Sequence, residues 1–425
     1  MTRASLTRRM CHSLAGAGPW LLLLAAAPRA AGGQSVPVQT LNGQAVCNLP
    51  QPAPTRSSPL TAASADERVR AVPAPRTPVL SEAASAGATR FSFIAYGDTR
   101  GRFDGQLPQQ NHLLVVNAML RTIRERASGP DPVRFVVSSG DAVVDGRDAR
   151  QWNASFIDVV ERLTTEGNVP VIPVAGNHDV TSSPFLDAPG RRQALGHFLS
   201  AFQHLLPPDG SPRRLDGYPT FGVGFGNTFV LAMDSNVADD STQFTWVRDQ
   251  LSGLDRGRYR HVVIALHHPA FSSGPHGGSI VERPAAAMRE RYMPLFRKHR
   301  VELVLAGHEH FFEHWVEQYR DGAGQSRRLD QIVSGGGGAP FYPYCGEPDL
   351  NDYLARGVSD AVTIDHLVRP PLNAWENALH YLVIHVDGDR LSVEVIGVDA
   401  GTNFQPYRSR TTDLKPSDPV QTGRP

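Results

Sequence analysis

Five short blocks each place metal-ligating side chains directly after an apolar run: GDTR with Asp98, GDAVVDG with Asp141, GNHD with Asn177, LHHP with His267, and GHEH with His308 and His310. Carboxylate, amide and imidazole donors of this kind suit Mn, Fe or Zn. Two such ions about 3.5–4 Å apart can hold both the attacking and the leaving oxygen of an in-line phosphoryl displacement. Any single block is ordinary, because an Asp after a strand commonly caps a helix or forms a turn, and a buried His is commonly a core residue. Their joint occurrence at successive strand ends points to a metal centre for phosphate-ester chemistry. Other chemistries find no support. A G-x-S-x-G elbow is absent, and the glycine run at Gly335 lacks the Lys and Ser or Thr of a P-loop, so its expected role is close backbone packing near the site.

The elements that must hold these blocks are legible around them. FSFIAYGD, RFVVSSGD, VPVIPVAGNHD, HVVIALHH and ELVLAGHEH are apolar runs of strand length, the pattern of strands buried on both faces. Leu113, Val116, Leu120 and Ile123 form one apolar helical face, and Met288 to Phe296 reads as a second helix. Strand and helix alternate, which argues an α/β fold with ligands outside the carboxyl ends of its strands. After His310, DQIVSGGGGAP and HYLVIHVDGDRLSVEVIGVD read as antiparallel strands, with a hairpin at Asp387 and Gly388. The weakly periodic stretch from Phe341 to Leu379 reads as a long loop, and the last twenty residues, polar and containing Pro416, Pro419 and Pro425, as a frayed tail.

Residues 1–31 read as an export signal, with Arg3, Arg8 and Arg9 ahead of an apolar stretch from Leu14 to Ala27 and small residues at Ala30 and Ala31. That stretch is short for a membrane span, and no other apolar run approaches the roughly 20 residues a span needs. Residues 32–90, rich in Pro, Ala, Ser and Thr, read as an extension or linker, residues 91–400 as the catalytic domain and 401–425 as a flexible tail. The expectation is a secreted or periplasmic protein with no stable membrane span. Once Cys11 leaves with the signal, Cys47 and Cys345 remain, either as one bridge in an oxidising compartment or as two thiols. The formal net charge of zero gives no basic footprint for nucleic acid.

In this order, over roughly Phe91 to His310, the blocks resemble the calcineurin-like metallophosphoesterase superfamily, in particular its purple-acid-phosphatase-like secreted bacterial members. The connecting text is similar as well: Trp152 and Phe156 after GDAVVDG, the stretch YPTFGVGFGNTFVLAMDSN, FSSGPHGG after LHHP, and VSGGGGAP after GHEH. The resemblance implies a four-layer α-β-β-α sandwich of two mixed sheets flanked by helices. It also implies a metal-dependent hydrolase of small-molecule phosphomonoesters or phosphodiesters, with two divalent or mixed-valence ions of Mn, Fe or Zn. Carried onto this sequence, it makes Asp141 the bridging carboxylate and completes one ion with Asn177, His267 and His308. His267 is taken over His268 because the family's ligand stands two residues before the proline, here Pro269. The other ion would be held by Asp98 and His310 with the shared Asp141. A metal-activated hydroxide would attack phosphorus, His178 would protonate the leaving oxygen, and Asp179 would orient His178.

Two departures from the family's pattern fall on one ion. Many members carry a His where this chain has Arg100, and purple acid phosphatases carry a Tyr where it has Val144. An iron–tyrosinate colour is therefore not expected. His112 is a candidate replacement ligand, an exposed or capping position being its other reading. Arg100 offers a planar fork for a phosphate or a carboxylate, and His276 in the SSGPHGG loop is a candidate substrate contact. This thin ligand set leaves a second function class open, a noncatalytic or single-metal secreted binding protein on the same fold. Substrate choice would lie in the cleft walls at 103–110, 181–190, 274–284 and 341–379.

Overall fold

The runs that lack polar alternation are those with apolar partners on both faces. In Val262–Ala265, Val262 and Ile264 point into one hydrophobic cluster and Val263 and Ala265 into another. Val304 and Leu305, and Leu231 and Ala232, divide in the same way. A strand in this position cannot alternate apolar with polar residues without burying unpaired polar groups. The computed structural model describes residues 67–76, 81–101, 108–181, 187–277, 282–347, 353, 362–399, 404–407 and 410–414, and the backbone of 38–41 and 44–47. The expected export signal, and much of the expected cleft wall, lie outside the described residues.

A short hairpin of β1 (Val38–Leu41) and β2 (Gln44–Cys47) precedes the two main sheets. The first main sheet is built from β3 (Arg90–Tyr96), β4 (Val133–Ser138) and β5 (Val171–Pro173), all parallel. The second contains β6 (Arg214–Leu215), β7 (Thr220–Phe225), β8 (Thr228–Ala232), β9 (His261–Ala265), β10 (Leu303–Ala306), β11 (Phe312–Arg320), β12 (Ser326–Ser334) and β13 (Val362–Val368), in the order β13-β11-β12-β10-β9-β8-β7-β6. The chain then returns to the first sheet with β14 (Leu379–Asp387), β15 (Arg390–Val398) and β16 (Thr411–Asp413), giving the order β16-β15-β14-β3-β4-β5. Both sheets are mixed: β8, β9, β10 and β12 run parallel, and hairpins extend the edges. The hairpin expected at Asp387 is closed by Gly388 and Asp389, with Gly388 at φ 63°.

Helices cover the outer faces. On the first sheet lie α1 (Gln110–Arg126), with Val116, Leu120 and Ile123 buried as the periodicity requires, then α2 (Asp158–Thr165). A single turn, α3 (Asn177–Val180), leads to α4 (Pro189–Phe202). Trp152, Phe156, Phe198 and Phe202 meet edge-on beneath this layer, an arrangement aromatic quadrupoles favour. On the second sheet lie α5 (Ser241–Ser252) and a helical run from Arg283 to Lys298, widened at Met288–Tyr292 into a wider turn. The result is two mixed β-sheets flanked by helices. Among the described residues no helix is long and apolar enough to cross a membrane.

Three stretches differ from the sequence expectation. The segment read as a loop from Phe341 to Leu379 contains the edge strand β13, whose half-buried residues show little apolar contrast. The tail contains β16, which pairs with β15, and it buries Leu414. In the extension, Val72 is fully buried and its N–H donates to Ala201 O at 2.8 Å. Cys345 is buried and disulfide-bonded. The side chain of Cys47, its expected partner, lies outside the described residues.

Candidate metal centre

The ligand-type side chains gather where the carboxyl ends of both sheets meet. Asp98 follows β3, Asp141 follows β4 and Asn177 opens α3 after β5, while His267 follows β9 and His308 and His310 follow β10. Asp98, Asp141 and His308 have φ of 59°, 55° and 73°. This left-handed region is costly for residues with a Cβ. It turns each side chain out of its strand and back over the sheet end. The glycines that precede the ligands let these turns approach each other. A Cβ on Gly176 would lie 2.2 Å from Asp141 N, and one on Gly337, in the glycine run, 2.3 Å from Gly97 O. Gly337 N and Ala339 N donate to Gly97 O and Asp98 O, so the run backs the GDTR turn.

In one half of the site the donor atoms can be assigned from their outer partners. His267 Nδ1 donates to Ser139 O at 2.9 Å, leaving Nε2 as a lone pair. His308 Nε2 donates to Glu282 Oε2 at 3.1 Å, leaving Nδ1 as a lone pair. His267 Nε2 lies 2.9 Å from Asn177 Oδ1 and 3.3 Å from Asp141 Oδ1. His308 Nδ1 lies 3.1 Å from Asn177 Oδ1 and 3.2 Å from His267 Nε2. With these assignments the four atoms turn lone pairs toward one another, an arrangement that a bound cation satisfies. Ligands about 2.0–2.2 Å from one ion and at right angles to each other stand roughly 3 Å apart. Burial holds the His267 and His308 imidazoles below their ordinary pKa, in the neutral form that ligates metals. The residues fit a transition-metal ion.

The other half is arranged differently. His310 Nδ1 donates to Pro340 O at 2.6 Å, and the ring stacks on Tyr342 at 4.0 Å. Its Nε2 lies 3.5 Å from Asp98 Oδ1. Between these groups and Asp141 lies the Arg100 guanidinium, whose Nε donates to Asp141 Oδ2 at 3.1 Å and whose Nη2 stands 3.4 Å from His310 Nε2. Arg100 thus engages a candidate ligand carboxylate and a candidate ligand imidazole. Burial works against charge on both carboxylates. At Asp141 it is outweighed by His267, His178 and Arg100, which hold the carboxyl well below its usual range. At Asp98 burial is reinforced by the charge of Asp141, and the carboxyl is pushed well above it.

His178 sits at the rim, its backbone N–H donating to Asp141 Oδ1 at 3.0 Å and its Nδ1 to Val144 O at 2.7 Å. Asp179 does not orient it, contrary to the sequence expectation. Its carboxylate accepts from the N–H groups of Gly176, Ala142 and Val143, fastening the GNHD turn to the GDAVVDG turn. Burial and the charge of Asp141 raise its pKa to about 8. His276 accompanies the cluster, its ring 4.5 Å from that of His308 and its Nδ1 3.3 Å from Glu309 Oε2. His268 bonds Ser235 Oγ through Nδ1 at 2.9 Å, and its ring packs on that of His308.

His112 is neither exposed nor a cap. It is fully buried between Tyr96 and Phe156, and burial lowers its pKa to about 3. Glu282, Glu309, Tyr342 and the carbonyls of Ser139, Val144 and Pro340 were not legible as site residues. The middle residue of GHEH was the available signal for Glu309, whereas the carbonyls have no side-chain signature.

The family model for calcineurin-like phosphoesterases matches residues 93–312. Probable purple acid phosphatase 20 of Arabidopsis thaliana is 28% identical over 171 residues, covering 40% of this chain and 37% of that protein. The serine/threonine-protein phosphatase CPPED1 of Bos taurus is 24% identical over 215 residues, covering 48% of this chain and 59% of that protein. The chain therefore matches only part of the length of these curated relatives. A purple acid phosphatase, PPD1, from yellow lupin seeds superposes with a TM-score of 0.54 at 17% identity, over 77% of this chain and 54% of that one. That likeness is one of fold.

Proposed function

Because this chain belongs to the calcineurin-like phosphoesterase family, we propose that it is a metal-dependent hydrolase of small-molecule phosphate esters, working at the cluster around Asp141. The observation that carries this reading is the convergence of Asp141 Oδ1, Asn177 Oδ1, His267 Nε2 and His308 Nδ1 through separations of 2.9–3.3 Å. A transition-metal ion bound there supplies Lewis acidity and a water acidified toward neutral pH.

The chain's own residues supply the rest. Val144 O fixes His178 Nδ1 as a donor, so any proton His178 exchanges with a leaving oxygen sits on Nε2. That is the position of a general acid. Glu309 holds the His276 loop through the His276 N–H at 2.8 Å and through the ring, which places an imidazole beside His308 to receive a phosphoryl oxygen. Burial works against charge on His276, but Glu309 outweighs it and raises the pKa, favouring a donor to an anion.

Action outside the cytoplasm belongs to the same proposal. It is supported by the basic and apolar pattern of residues 1–31 and by the disulfide at Cys345, which persists in oxidising compartments.

Hydrolysis of aryl phosphate mono- and diesters, assayed before and after chelation and again with Mn, Zn or Fe restored, tests the activity. Loss and recovery are expected. Inactivity with metal bound would instead support a metal-stabilised binding protein. His178→Ala is expected to slow esters of poor leaving groups by roughly 10²–10⁴-fold, the usual contribution of a general acid, and esters of good leaving groups much less. Equal slowing across leaving groups would remove His178 from that role.

A further inference from the structure

The two halves of the centre differ in what neutralises their acceptors. Among the described residues no cationic side chain donates to the acceptors of the Asn177, His267 and His308 half, where the His178 N–H donates to Asp141 Oδ1. In the Asp98 and His310 half a guanidinium already stands among them. We propose that Arg100 is the permanent cation of the Asp98 and His310 half, and that the centre holds a single exchangeable metal ion, in the other half. The inference rests on the metal-dependent reading above and departs from the two-ion arrangement expected from sequence resemblance.

Arg100 engages two of the acceptors a second ion would need, Asp141 Oδ2 and His310 Nε2. Its Nε donates to Asp141 Oδ2, the oxygen turned away from the His267 side. Its Nη2 faces His310 Nε2, the ring's only lone pair, because Nδ1 is committed to Pro340 O. The oxygens of Asp98 both accept from His308 N–H at 3.0 Å. Arg100 is itself largely buried, 15% of its side chain being exposed. A guanidinium is never deprotonated in proteins, so this cation cannot be chelated or exchanged. It donates hydrogen bonds to anionic oxygens, yet it cannot acidify a water. Activation of the nucleophile then falls wholly to the half that binds metal, and Arg100 keeps the Asp141 carboxylate turned toward it.

The test is the metal stoichiometry of the full chain. Wild-type protein and the variants Arg100→His and Asn177→Ala are saturated with Mn²⁺, freed of excess ion by gel filtration, and analysed by elemental mass spectrometry and electron paramagnetic resonance. One Mn per wild-type chain with the spectrum of an isolated ion is expected. Arg100→His, which removes the cation and adds a ligand, should take up a second ion and show exchange coupling, and Asn177→Ala should lose its ion. Two ions or a coupled spectrum in the wild type would overturn the proposal. Arg100→His remaining at one ion would overturn the part given to Arg100. A wild-type chain that binds no ion would defeat the metal-dependent reading itself. The wild-type stoichiometry decides the ion count whether or not Arg100→His folds.

Discussion

Asp141→Asn is expected to lower kcat/KM for aryl phosphates by on the order of 10³-fold or more, since losing one group that stabilises transition-state charge already costs 10²–10³ and here the ion is lost with it. The substitution is nearly isosteric but removes the charge that faces the metal ligands on one oxygen and Arg100 on the other. Metal content should fall in parallel. The fold should be affected less, because without an ion Asp98 and Asp141 repel each other across a site with one guanidinium, and neutralising one of them relieves that repulsion. Elemental analysis, steady-state kinetics and urea unfolding on the same preparation separate these effects. Full metal loading with activity within tenfold of wild type would show that Asp141 is not a ligand.

Arg191→Met is expected to destabilise the fold by about 3–5 kcal/mol, the usual cost of stranding one member of a buried ion pair. Arg191, on α4, pairs with Asp234, at the end of β8, and both side chains are fully buried. Among the described residues Arg191 Nε and Nη1 have no acceptor, so the balance of its charge rests on Asp234. Asp234 also accepts from Asn236, whose Nδ2 donates to Ala175 O, two residues before Asn177. Loss of Arg191 should therefore loosen the metal site as well as lower the unfolding free energy. The double variant Arg191→Met/Asp234→Asn should recover part of the loss, with a coupling of about 0.5–3 kcal/mol. A single-variant loss under about 1 kcal/mol would show that water or another group compensates Asp234.

The central strands and the polar clusters that follow them were legible because burial on both faces leaves an unmistakable apolar run, and because metal-ligating chemistry is restricted to a few side-chain types. Val262–Ala265 followed by His267, and Leu303–Ala306 followed by His308, are examples. What the sequence hid depends on backbone atoms or on long-range proximity. His178 is held by the carbonyl of Val144, a residue notable in the sequence only for not being a tyrosine. Asp179 follows His178 directly, yet its side chain turns to the Gly176 amide of its own turn and to the Ala142 and Val143 amides of a different one. His112 stands on a helix with mixed surroundings, and only the packing of Tyr96 and Phe156 around it shows that it is core. The strand β13 was missed because an edge strand with half-buried residues carries too little apolar contrast to stand out from a loop.

The proposed ligands of the centre come from both sheets: Asp141 and Asn177 from the ends of β4 and β5, His267 and His308 from those of β9 and β10. An ion held between them is a rivet through the sandwich, and any motion that parts the sheets must also break its coordination. Binding to the folded chain alone then adds to folding free energy by mass action, about 4.1 kcal/mol when free ion stands at 1,000 times its dissociation constant. Against a typical domain stability of about 5–15 kcal/mol, that is a large share. The supply of metal in the surroundings would thus govern how long the folded chain persists as well as how fast it turns over substrate.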